Sequence, residues 1–355
     1  MTVGLRKLIQ LERNRRINNA RKNSRQLMQL FWECTLRCNL KCLHCGSDCK
    51  VDDIAPDMPF EDFEKVLDDI SSVMNPRNVL VITTGGEPLV RKDLVSCGRR
   101  ITEKGFSWGM VSNGMLLSEE KLSELTAAGL RTIAISLDGF EEDHNWMRGN
   151  DHSFLHAVNA IKALVKSNIK WDVITCVNRR NIATLAEFKD FLYGIGVREW
   201  RVFTIVPMGR AKDNPELTLE DSQIRQVMDF IVETRREGKI DLSYSCEGFL
   251  GEYENEVRNH QFLCIAGTNA ASILSDGSIS GCLSIRSKYH QGNIYTDKFT
   301  DVWKNRFQLY RDHSWMKTGE CKECDMWRYC EGNGMHLRDD DGNLMLCNYN
   351  RMNNG

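Results

Sequence analysis

The sequence predicts an α/β protein with a parallel sheet, followed by a smaller domain rich in cysteine. Between residues 29 and 238, short apolar runs alternate with longer amphipathic stretches, which gives six strand–helix units. Strict alternation of this kind is typical of parallel sheets with right-handed crossovers. Six units are too few for the usual closed barrel of eight strands. After residue 262 this pattern stops, and six of the fourteen cysteines follow.

The elements follow in order along the chain. The predicted strands are 29–33, 78–83, 107–112, 132–137, 171–177 and 199–206, and the predicted helices are 60–74, 92–104, 118–128, 153–167, 184–193 and 220–236. We therefore divide the chain into an N-terminal helix at 1–28, a core at 29–238, a linker at 239–262 and a cysteine-rich domain at 263–355. The N-terminal segment is rich in Arg and Lys, so we expect a basic, solvated helix lying across the barrel. Contact with an acidic partner or a membrane surface is the alternative.

Composition excludes several classes of protein. The net charge of −2 gives no electrostatic preference for nucleic acid. No run approaches 18 apolar residues, so no membrane span is expected. The first 30 residues contain no apolar core of a signal peptide. We therefore expect a cytoplasmic protein in which clustered cysteines bind metal, rather than a secreted disulfide protein.

Three cysteines, Cys38, Cys42 and Cys45, follow the first strand at the spacing C-x3-C-x2-C. Three thiolates this close together form a tripod for one face of a metal cluster. A [4Fe–4S] site normally uses four cysteines, so a tripod leaves one iron open to a substrate or cofactor. Structural zinc, with Cys34 or Cys49 as a fourth ligand, is one alternative. Buried thiols that act as small hydrophobic side chains are another.

This motif resembles the signature of the radical S-adenosylmethionine (radical SAM) enzymes. The resemblance implies that the three cysteines hold a [4Fe–4S] cluster whose open iron is chelated by S-adenosylmethionine. Reductive cleavage of that cofactor would give a 5′-deoxyadenosyl radical, which abstracts hydrogen from a substrate. It also implies an open, partial (β/α)6 radical SAM barrel and an external electron donor of the flavodoxin or ferredoxin type. The active site would lie at the carboxyl ends of the strands.

The second predicted strand ends in Gly85-Gly86-Glu87-Pro88. Two glycines allow a close backbone approach to a ligand or a positive φ; a plain turn is the alternative. About 40 residues after the cysteine tripod, this motif resembles the family element that receives the methionine amino group of the cofactor. The resemblance assigns that role to Glu87 and the close approach to the two glycines.

Small polar residues end the third and fourth predicted strands. Such residues are often only turn formers. The family resemblance implies instead that Asn113, Ser136 and Asp138 reach the ribose and carboxylate of the cofactor. The later pattern H-x3-R-G, common in peptide-modifying members, contains Arg148. A guanidinium pairs with a carboxylate through two hydrogen bonds, so Arg148 is expected to clamp the cofactor's carboxylate. A solvated surface arginine is the alternative.

The cysteine-rich region begins with a predicted hairpin, whose turn contains Asp276-Gly277. Its cysteines are Cys264, Cys282, Cys321, Cys324, Cys330 and Cys347. The pattern resembles the SPASM domain, an extension of many radical SAM enzymes that modify peptides. A zinc site at the C-x2-C pair is the alternative interpretation. A full SPASM domain holds two auxiliary clusters and has a further Cys where this chain has Gly334.

The missing cysteine leaves the grouping of ligands open, with one or two auxiliary iron–sulfur clusters. The resemblance gives the outer cluster a complete set: Cys321, Cys324, Cys330 and Cys347. Cys264 and Cys282, joined by Cys246, would remain for the inner site, which would then hold a cluster with an open iron or a smaller cluster. An alternative single cluster would use Cys264, Cys282, Cys321 and Cys324.

These features predict a radical SAM maturase that acts on a peptide or small protein. A further resemblance is to the branch associated with small lipoproteins, in which the substrate would be a partner protein. Formylglycine formation is disfavoured, because sulfatase-maturing members have Asp where this chain has Leu283. The alternatives are an enzyme acting on a small molecule such as a cofactor or haem precursor, and a non-catalytic iron–sulfur or zinc protein. No acid, base or nucleophile is assigned, since the cofactor supplies the reactive species.

Overall fold

The computed structural model describes residues 4–49, 56–285 and 288–354, and only the backbone of Asn354. Its strands are β1 Gln29–Thr35, β2 Leu80–Gly85, β3 Ser107–Ser112, β4 Leu130–Ser136, β5 Lys170–Val177, β6 Glu199–Thr204, β7 Asp241–Tyr244, β8 Ala270–Ile273, β9 Ser278–Ser280 and β10 Gly292–Asn293. They form one sheet in the order β10-β9-β8-β1-β2-β3-β4-β5-β6-β7. Pairing from β1 through β7 is parallel, as the alternating pattern predicts.

Helices connect and cover these strands. They are α1 Leu5–Ser24, α2 Phe60–Val73, α3 Leu94–Glu103, α4 Glu119–Ala127, α5 Glu141–Arg148, α6 Ser153–Val165, α7 Leu185–Gly194, α8 Asp221–Glu237, α9 Phe299–Asn305, α10 Gln308–Arg311, α11 Trp327–Cys330 and α12 Asn348–Asn354. Each of the six predicted strand–helix units is present. Because all parallel strands end at the same edge, the loops that follow β1 to β4 meet there.

Aromatic side chains fix the distance between the sheet and its helices. Trp32 on β1 is fully buried and stacks on Phe63 of α2, with ring centroids 4.4 Å apart. Trp108 on β3 lies against Gly98 of α3, where a Cβ would come within 2.0 Å of the indole ring. Burying rings of this size contributes several kcal/mol each, in the order of 25 cal/mol per Å² of apolar area. This packing holds the strand ends that carry the site.

The sheet extends beyond the six predicted strands. The stretch expected as a linker contains β7, which pairs with β6. With only four residues, β7 is too short for a period-of-two pattern to be detected. At the other edge, the predicted hairpin forms as β8 and β9, and β8 pairs in parallel with β1. The cysteine-rich region therefore continues the sheet of the core; the domain boundaries themselves stay predictions.

The basic N-terminal segment forms α1, in which only Leu11 and Asn18 are buried, but it is anchored to the C-terminal part of the chain as well as being solvated. Its Leu11 is fully buried in a cluster with Phe249 and Phe262. The Asn18 side chain donates a hydrogen bond to the Phe262 carbonyl oxygen at 3.2 Å, and Lys22 pairs with Glu331. The helix packs on the cysteine-rich region because one leucine and a few polar anchors suffice to dock it.

Among the residues that the structure describes, no helix combines the length and the apolar character needed to cross a lipid bilayer.

Candidate active site

A cavity of about 160 Å³ opens at the carboxyl ends of the first four strands. The sequence-predicted residues that line it are Cys38, Cys42, Cys45, Gly85, Gly86, Glu87, Asn113, Ser136 and Arg148. The structure thus brings together the cysteine tripod, the Gly-Gly-Glu motif and the arginine of H-x3-R-G, which lie up to 110 residues apart in sequence. Two predicted residues, Pro88 and Asp138, are buried but do not line the cavity.

The loop that carries the tripod is held by backbone contacts from two other parts of the barrel. The Leu43 N–H donates to the carbonyl oxygen of Met147 in α5 at 2.9 Å. From the segment after β6, the Arg210 N–H donates to the Cys45 carbonyl oxygen at 3.0 Å, and its Nε donates to that of Cys42 at 2.8 Å. The cysteines are therefore fixed in place independently of any bound group.

The three thiols differ in their electrostatic surroundings. Burial raises the pKa of Cys38 to about 11 and also raises that of Cys42, which is only 8% exposed. In contrast, a hydrogen bond from Cys49 lowers the pKa of Cys45 to about 5. A bound metal deprotonates a thiol outright, so the two neutral thiols are no obstacle to cluster binding.

Two side chains aim N–H groups at sulfur atoms of the tripod. Arg148 Nη1 lies 3.7 Å from Cys42 Sγ, and Asn113 Nδ2 lies 4.0 Å from Cys38 Sγ. Hydrogen bonds and positive charge at ligand sulfurs stabilise the negative charge of an iron–sulfur cluster. The donor set therefore fits a thiolate-bound cluster in the cavity, with Arg148 and Asn113 as its second layer of contacts.

Asp138 orients Arg148. Its Oδ2 accepts a hydrogen bond from Arg148 Nε at 2.6 Å, and its Oδ1 accepts one from the Cys176 N–H at 2.9 Å. Burial raises the pKa of Asp138, but the Arg148 guanidinium and the neighbouring imidazoles outweigh it, and the net shift is downward. Asp138 is thus an ionised partner of Arg148 that does not itself line the cavity, and its predicted contact with the cofactor stays a prediction.

Glu87 links the ends of two strands. Its carboxylate accepts hydrogen bonds from Ser112 Oγ at 2.9 Å, from the Asn113 N–H at 2.8 Å and from the Leu89 N–H at 3.1 Å. Burial raises the pKa of Glu87 to about 7, although these donors oppose it. The predicted contact with a cofactor amino group stays a prediction; a cation there would favour the ionised form.

The two glycines of this motif make a close approach, and the partner is the chain itself. Gly85 has φ +130°, and a Cβ there would lie 2.2 Å from the Thr35 carbonyl oxygen. A Cβ on Gly86 would lie 2.1 Å from the carbonyl oxygen of Arg37. The Gly86 and Glu87 N–H groups donate to these same oxygens at 2.8 and 3.0 Å. The Gly-Gly pair therefore allows the start of the cysteine loop to pack directly against the end of β2.

Two lining residues were missed by sequence reasoning. His44 faces the cavity, and its buried Nδ1 has no hydrogen-bond partner in the described ranges; burial lowers its pKa to about 4. Its place between Cys42 and Cys45 was a usable signal. Arg210 also lines the cavity, but its loop carries no recognisable motif.

The C-terminal cysteines fall into two groups. The outer group is Cys321, Cys324, Cys330 and Cys347, whose thiols influence one another's pKa values. Arg338 Nη2 lies 3.4 Å from Cys321 Sγ, and Asn333 Nδ2 lies 3.6 Å from Cys347 Sγ. This pattern of N–H donors at sulfur repeats that of the first site. The alternative grouping, which mixes Cys321 and Cys324 with the hairpin cysteines, stays open, and the ligand assignments remain predictions.

The inner group contains Cys246, Cys264 and Cys282. Burial raises the pKa of Cys246 well above its usual value, and the neighbouring Glu247, Cys282 and Cys264 raise it further. The Cys246 side chain is exposed to solvent, whereas those of Cys264 and Cys282 are partly buried. All fourteen cysteines lie in the described ranges, and no disulfide joins any of them there. In these ranges no three His, Cys, Asp or Glu side chains converge as a single-ion site.

Comparisons with known proteins agree with this geometry. The family model of the radical SAM superfamily matches residues 32–192, and that of an iron–sulfur cluster-binding domain, SPASM, matches residues 264–325. An AdoMet-dependent heme synthase of Methanosarcina barkeri is 28% identical over 85% of this chain and 90% of its own length. The mycofactocin maturase MftC of Mycobacterium tuberculosis is 28% identical over 86% of this chain and 78% of its own.

A solved structure supports the fold. Native anSMEcpe with bound AdoMet and a peptide superimposes with a TM-score of 0.70, at 20% identity over 93% of this chain and 95% of that one. The matching families imply S-adenosylmethionine, a [4Fe–4S] cluster and auxiliary iron–sulfur clusters as cofactors. The chain is therefore an enzyme that belongs to the radical SAM superfamily and carries a C-terminal SPASM domain.

Proposed function

We propose that this enzyme cleaves S-adenosylmethionine reductively and abstracts a hydrogen atom from a peptide or small protein. The observation that carries the proposal is the single cavity that joins the tripod of Cys38, Cys42 and Cys45 to Glu87 and Arg148. When bound there, the cluster and S-adenosylmethionine supply the 5′-deoxyadenosyl radical. The electron would come from a donor of the flavodoxin or ferredoxin type.

The protein's own side chains bind and orient. Arg148, held by Asp138 and 7% exposed, presents a fixed positive charge both to Cys42 Sγ and to the cavity. A guanidinium in such a place suits the carboxylate of an amino-acid cofactor. Glu87 lines the same cavity, where an ammonium group would favour its ionised form. The burial of these groups limits the access of water to a reactive species.

A second, larger opening, which shares no lining residue with the cavity of the tripod, has the size and mixed charge to accept a peptide. A cleft of about 680 Å³ lies beside the loops after β5 and β6 and next to Cys347 of the outer group. Its charged residues are Arg179, Arg351, Glu220, Asp221 and Glu320. Both arginines already pair with carboxylates, Arg179 with Glu220 and Arg351 with Asp221. Mixed charge suits a peptide, whereas a porphyrin with several carboxylates would meet repulsion here.

The similarity to mycofactocin maturase MftC over most of the chain supports a peptide or protein substrate. We extend the proposal to the branch associated with small lipoproteins, so that the substrate is a small partner protein. We also propose that the enzyme works in the cytoplasm, where cysteines and iron–sulfur clusters are kept reduced.

A second candidate function is action on a haem precursor. It is favoured by the similarity to AdoMet-dependent heme synthase, which spans 90% of that relative. The two candidates differ in the size of the molecule that loses a hydrogen atom, and this difference can be measured without knowledge of the substrate.

The test uses deuterium transfer. The enzyme is reconstituted without oxygen and given S-adenosylmethionine, dithionite and a perdeuterated extract of the organism that encodes it, split by ultrafiltration into large and small molecules. Deuterium should appear in 5′-deoxyadenosine only with the large fraction, and protease treatment of that fraction should abolish it. Cys42→Ala, which lacks a tripod ligand, is the control. Transfer only from the small fraction, or from a deuterated coproporphyrin, would favour the haem precursor.

A further inference from the structure

The inner group of cysteines supplies three thiols, Cys246, Cys264 and Cys282, which is fewer than the usual number of ligands of a cluster. An iron–sulfur cubane is commonly held by four protein ligands. Cys264 and Cys282 lie close enough to Cys246 to raise the pKa of its thiol. The missing cysteine of the domain pattern falls at Gly334.

The space that a side chain at Gly334 would use is filled by His336. A Cβ built on Gly334 would lie 2.8 Å from Cε1 and 2.9 Å from Nδ1 of the His336 ring. An imidazole therefore lies where the thiol of a cysteine at this position would begin. The His336 side chain is partly buried.

The turn that carries His336 is in contact with the inner cysteines on two sides. The Met335 N–H lies close enough to the Cys264 thiol to oppose the rise in its pKa that burial causes. On the other side, Gly248, two residues after Cys246, is so close to this turn that a Cβ on it would meet Asn333 Oδ1 at 2.5 Å and Leu337 at 3.2 Å. The Phe249 N–H donates to Asn333 Oδ1 at 2.8 Å. The turn is thus fixed between the segments of Cys246 and Cys264.

We propose that His336 replaces the missing cysteine and is the fourth ligand of the inner auxiliary cluster, together with Cys246, Cys264 and Cys282. Imidazole nitrogen is a common ligand of iron and occurs in iron–sulfur centres in place of thiolate. Exchange of a thiolate for a neutral imidazole removes one negative charge from the cluster, which raises its reduction potential. The inference does not depend on which substrate the enzyme uses.

The experiment isolates the auxiliary clusters in the full-length chain. Cys38, Cys42 and Cys45 are all replaced by Ala, which removes the first cluster, and the protein is reconstituted anaerobically with iron and sulfide. Since each cubane holds four irons, about eight irons per chain are expected. Pulsed electron paramagnetic resonance of the reduced protein should show a strong coupling to a directly bound nitrogen. Growth with ¹⁵N-histidine should change this coupling to that of ¹⁵N.

Two variants in this background assign the nitrogen. His336→Cys should abolish the nitrogen coupling, keep about eight irons and lower the reduction potential of one cluster. His313→Gln is the matched control, because His313 is buried in this domain and both its ring nitrogens contact carbonyl oxygens. The nitrogen coupling of the cluster should persist in this variant. About four irons in the parent, no effect of ¹⁵N-histidine, or a coupling that survives in His336→Cys would overturn the proposal. The labelled parent decides the question even where a variant fails to fold.

Discussion

At the scale of single residues, Arg148 connects the cysteine tripod to the buried interior of the barrel. Arg148 pairs with the buried Asp138 and at the same time reaches the sulfur of Cys42. The sequence places Arg148 at a cofactor carboxylate, and the structure adds its second contact with a cluster ligand. Asp138 is the residue that keeps this guanidinium in position, because both of its oxygens have fixed donors.

Asp138→Asn should destabilise the protein strongly. The substitution leaves the Arg148 charge buried without its counter-charge, and breaking one side of a buried pair costs about 3–5 kcal/mol. Denaturant unfolding under anaerobic conditions measures the effect. Asp341→Asn breaks the exposed pair with Lys288 and should change the free energy of unfolding by less than about 1 kcal/mol. Equal effects of the two substitutions would contradict the role given to Asp138.

The pH dependence of stability has a contribution from Glu247. This residue is 4% exposed, and burial raises its pKa to about 8, against about 4.3 in an unfolded chain. A raised carboxyl pKa stabilises the fold fully below the unfolded value, and this stability is lost as pH rises through the folded value. Between pH 5 and 8 the loss approaches about 1.4 kcal/mol per pH unit. Glu247→Gln should flatten this slope in anaerobic unfolding experiments, whereas the exposed Glu233→Gln should keep it.

At this scale the sequence predicts correctly which motif residues gather at one edge of the sheet, while their roles as ligands stay predictions. The tripod, Glu87, Asn113, Ser136 and Arg148 all line the cavity. Asp138 was placed in contact with the cofactor, but its depth below the surface depends on packing between β4, β5 and α5. Arg210 was missed because it reaches the tripod from a loop more than 160 residues away.

At the scale of elements, the loop after β1 depends on the end of β2. Gly85 and Gly86 allow the two segments to pair so closely that no side chain fits between them. The sequence predicted a positive φ or a close backbone approach to a ligand. The structure shows a positive φ at Gly85 and a close approach to the chain itself, and the approach to a ligand stays a prediction. That the approached group is the chain itself could not be read from the motif, because it requires the register between β1 and β2.

Gly86→Ala should displace the cysteine loop. The new Cβ would lie 2.1 Å from the Arg37 carbonyl oxygen, a distance that forces the backbone to move. We expect a loss of about four irons, the content of one cubane, and of the release of 5′-deoxyadenosine. Gly194→Ala is the control, since its Cβ meets nothing within 4 Å at the end of α7; iron content there should be normal. Normal iron content in both variants would show that the close pairing is not required.

At the scale of the whole molecule, the sheet and α1 bind the cysteine-rich region to the core. β8 pairs with β1, the strand that leads into the tripod. The hairpin flanked by Cys264 and Cys282 therefore belongs to the same sheet as the tripod strand. Alternation of apolar and amphipathic runs predicted the six core units, because that pattern is local. The seventh strand, the continuation of the sheet and the docking of α1 depend on contacts between distant segments, which a single sequence does not reveal.

Leu11→Ala should loosen the docking of α1. Leu11 is fully buried against Phe249 and Phe262, and such a truncation costs about 2–5 kcal/mol. Ile9→Ala on the same helix removes a side chain that is 64% exposed, so little change is expected. Limited proteolysis of the N-terminal segment and denaturant unfolding measure the difference. Similar behaviour of the two variants would mean that α1 is not docked through this cluster.

The central claim is that Cys38, Cys42 and Cys45 hold an iron–sulfur cluster at which S-adenosylmethionine is cleaved. The most direct measurement is the release of 5′-deoxyadenosine after anaerobic reconstitution with iron and sulfide, followed by addition of dithionite and S-adenosylmethionine. We predict release by the parent protein and by Cys97→Ala, whose cysteine is buried in α3 away from the cavity, and none by Cys42→Ala. A protein that binds zinc in place of iron, or undiminished release by Cys42→Ala, would contradict the account.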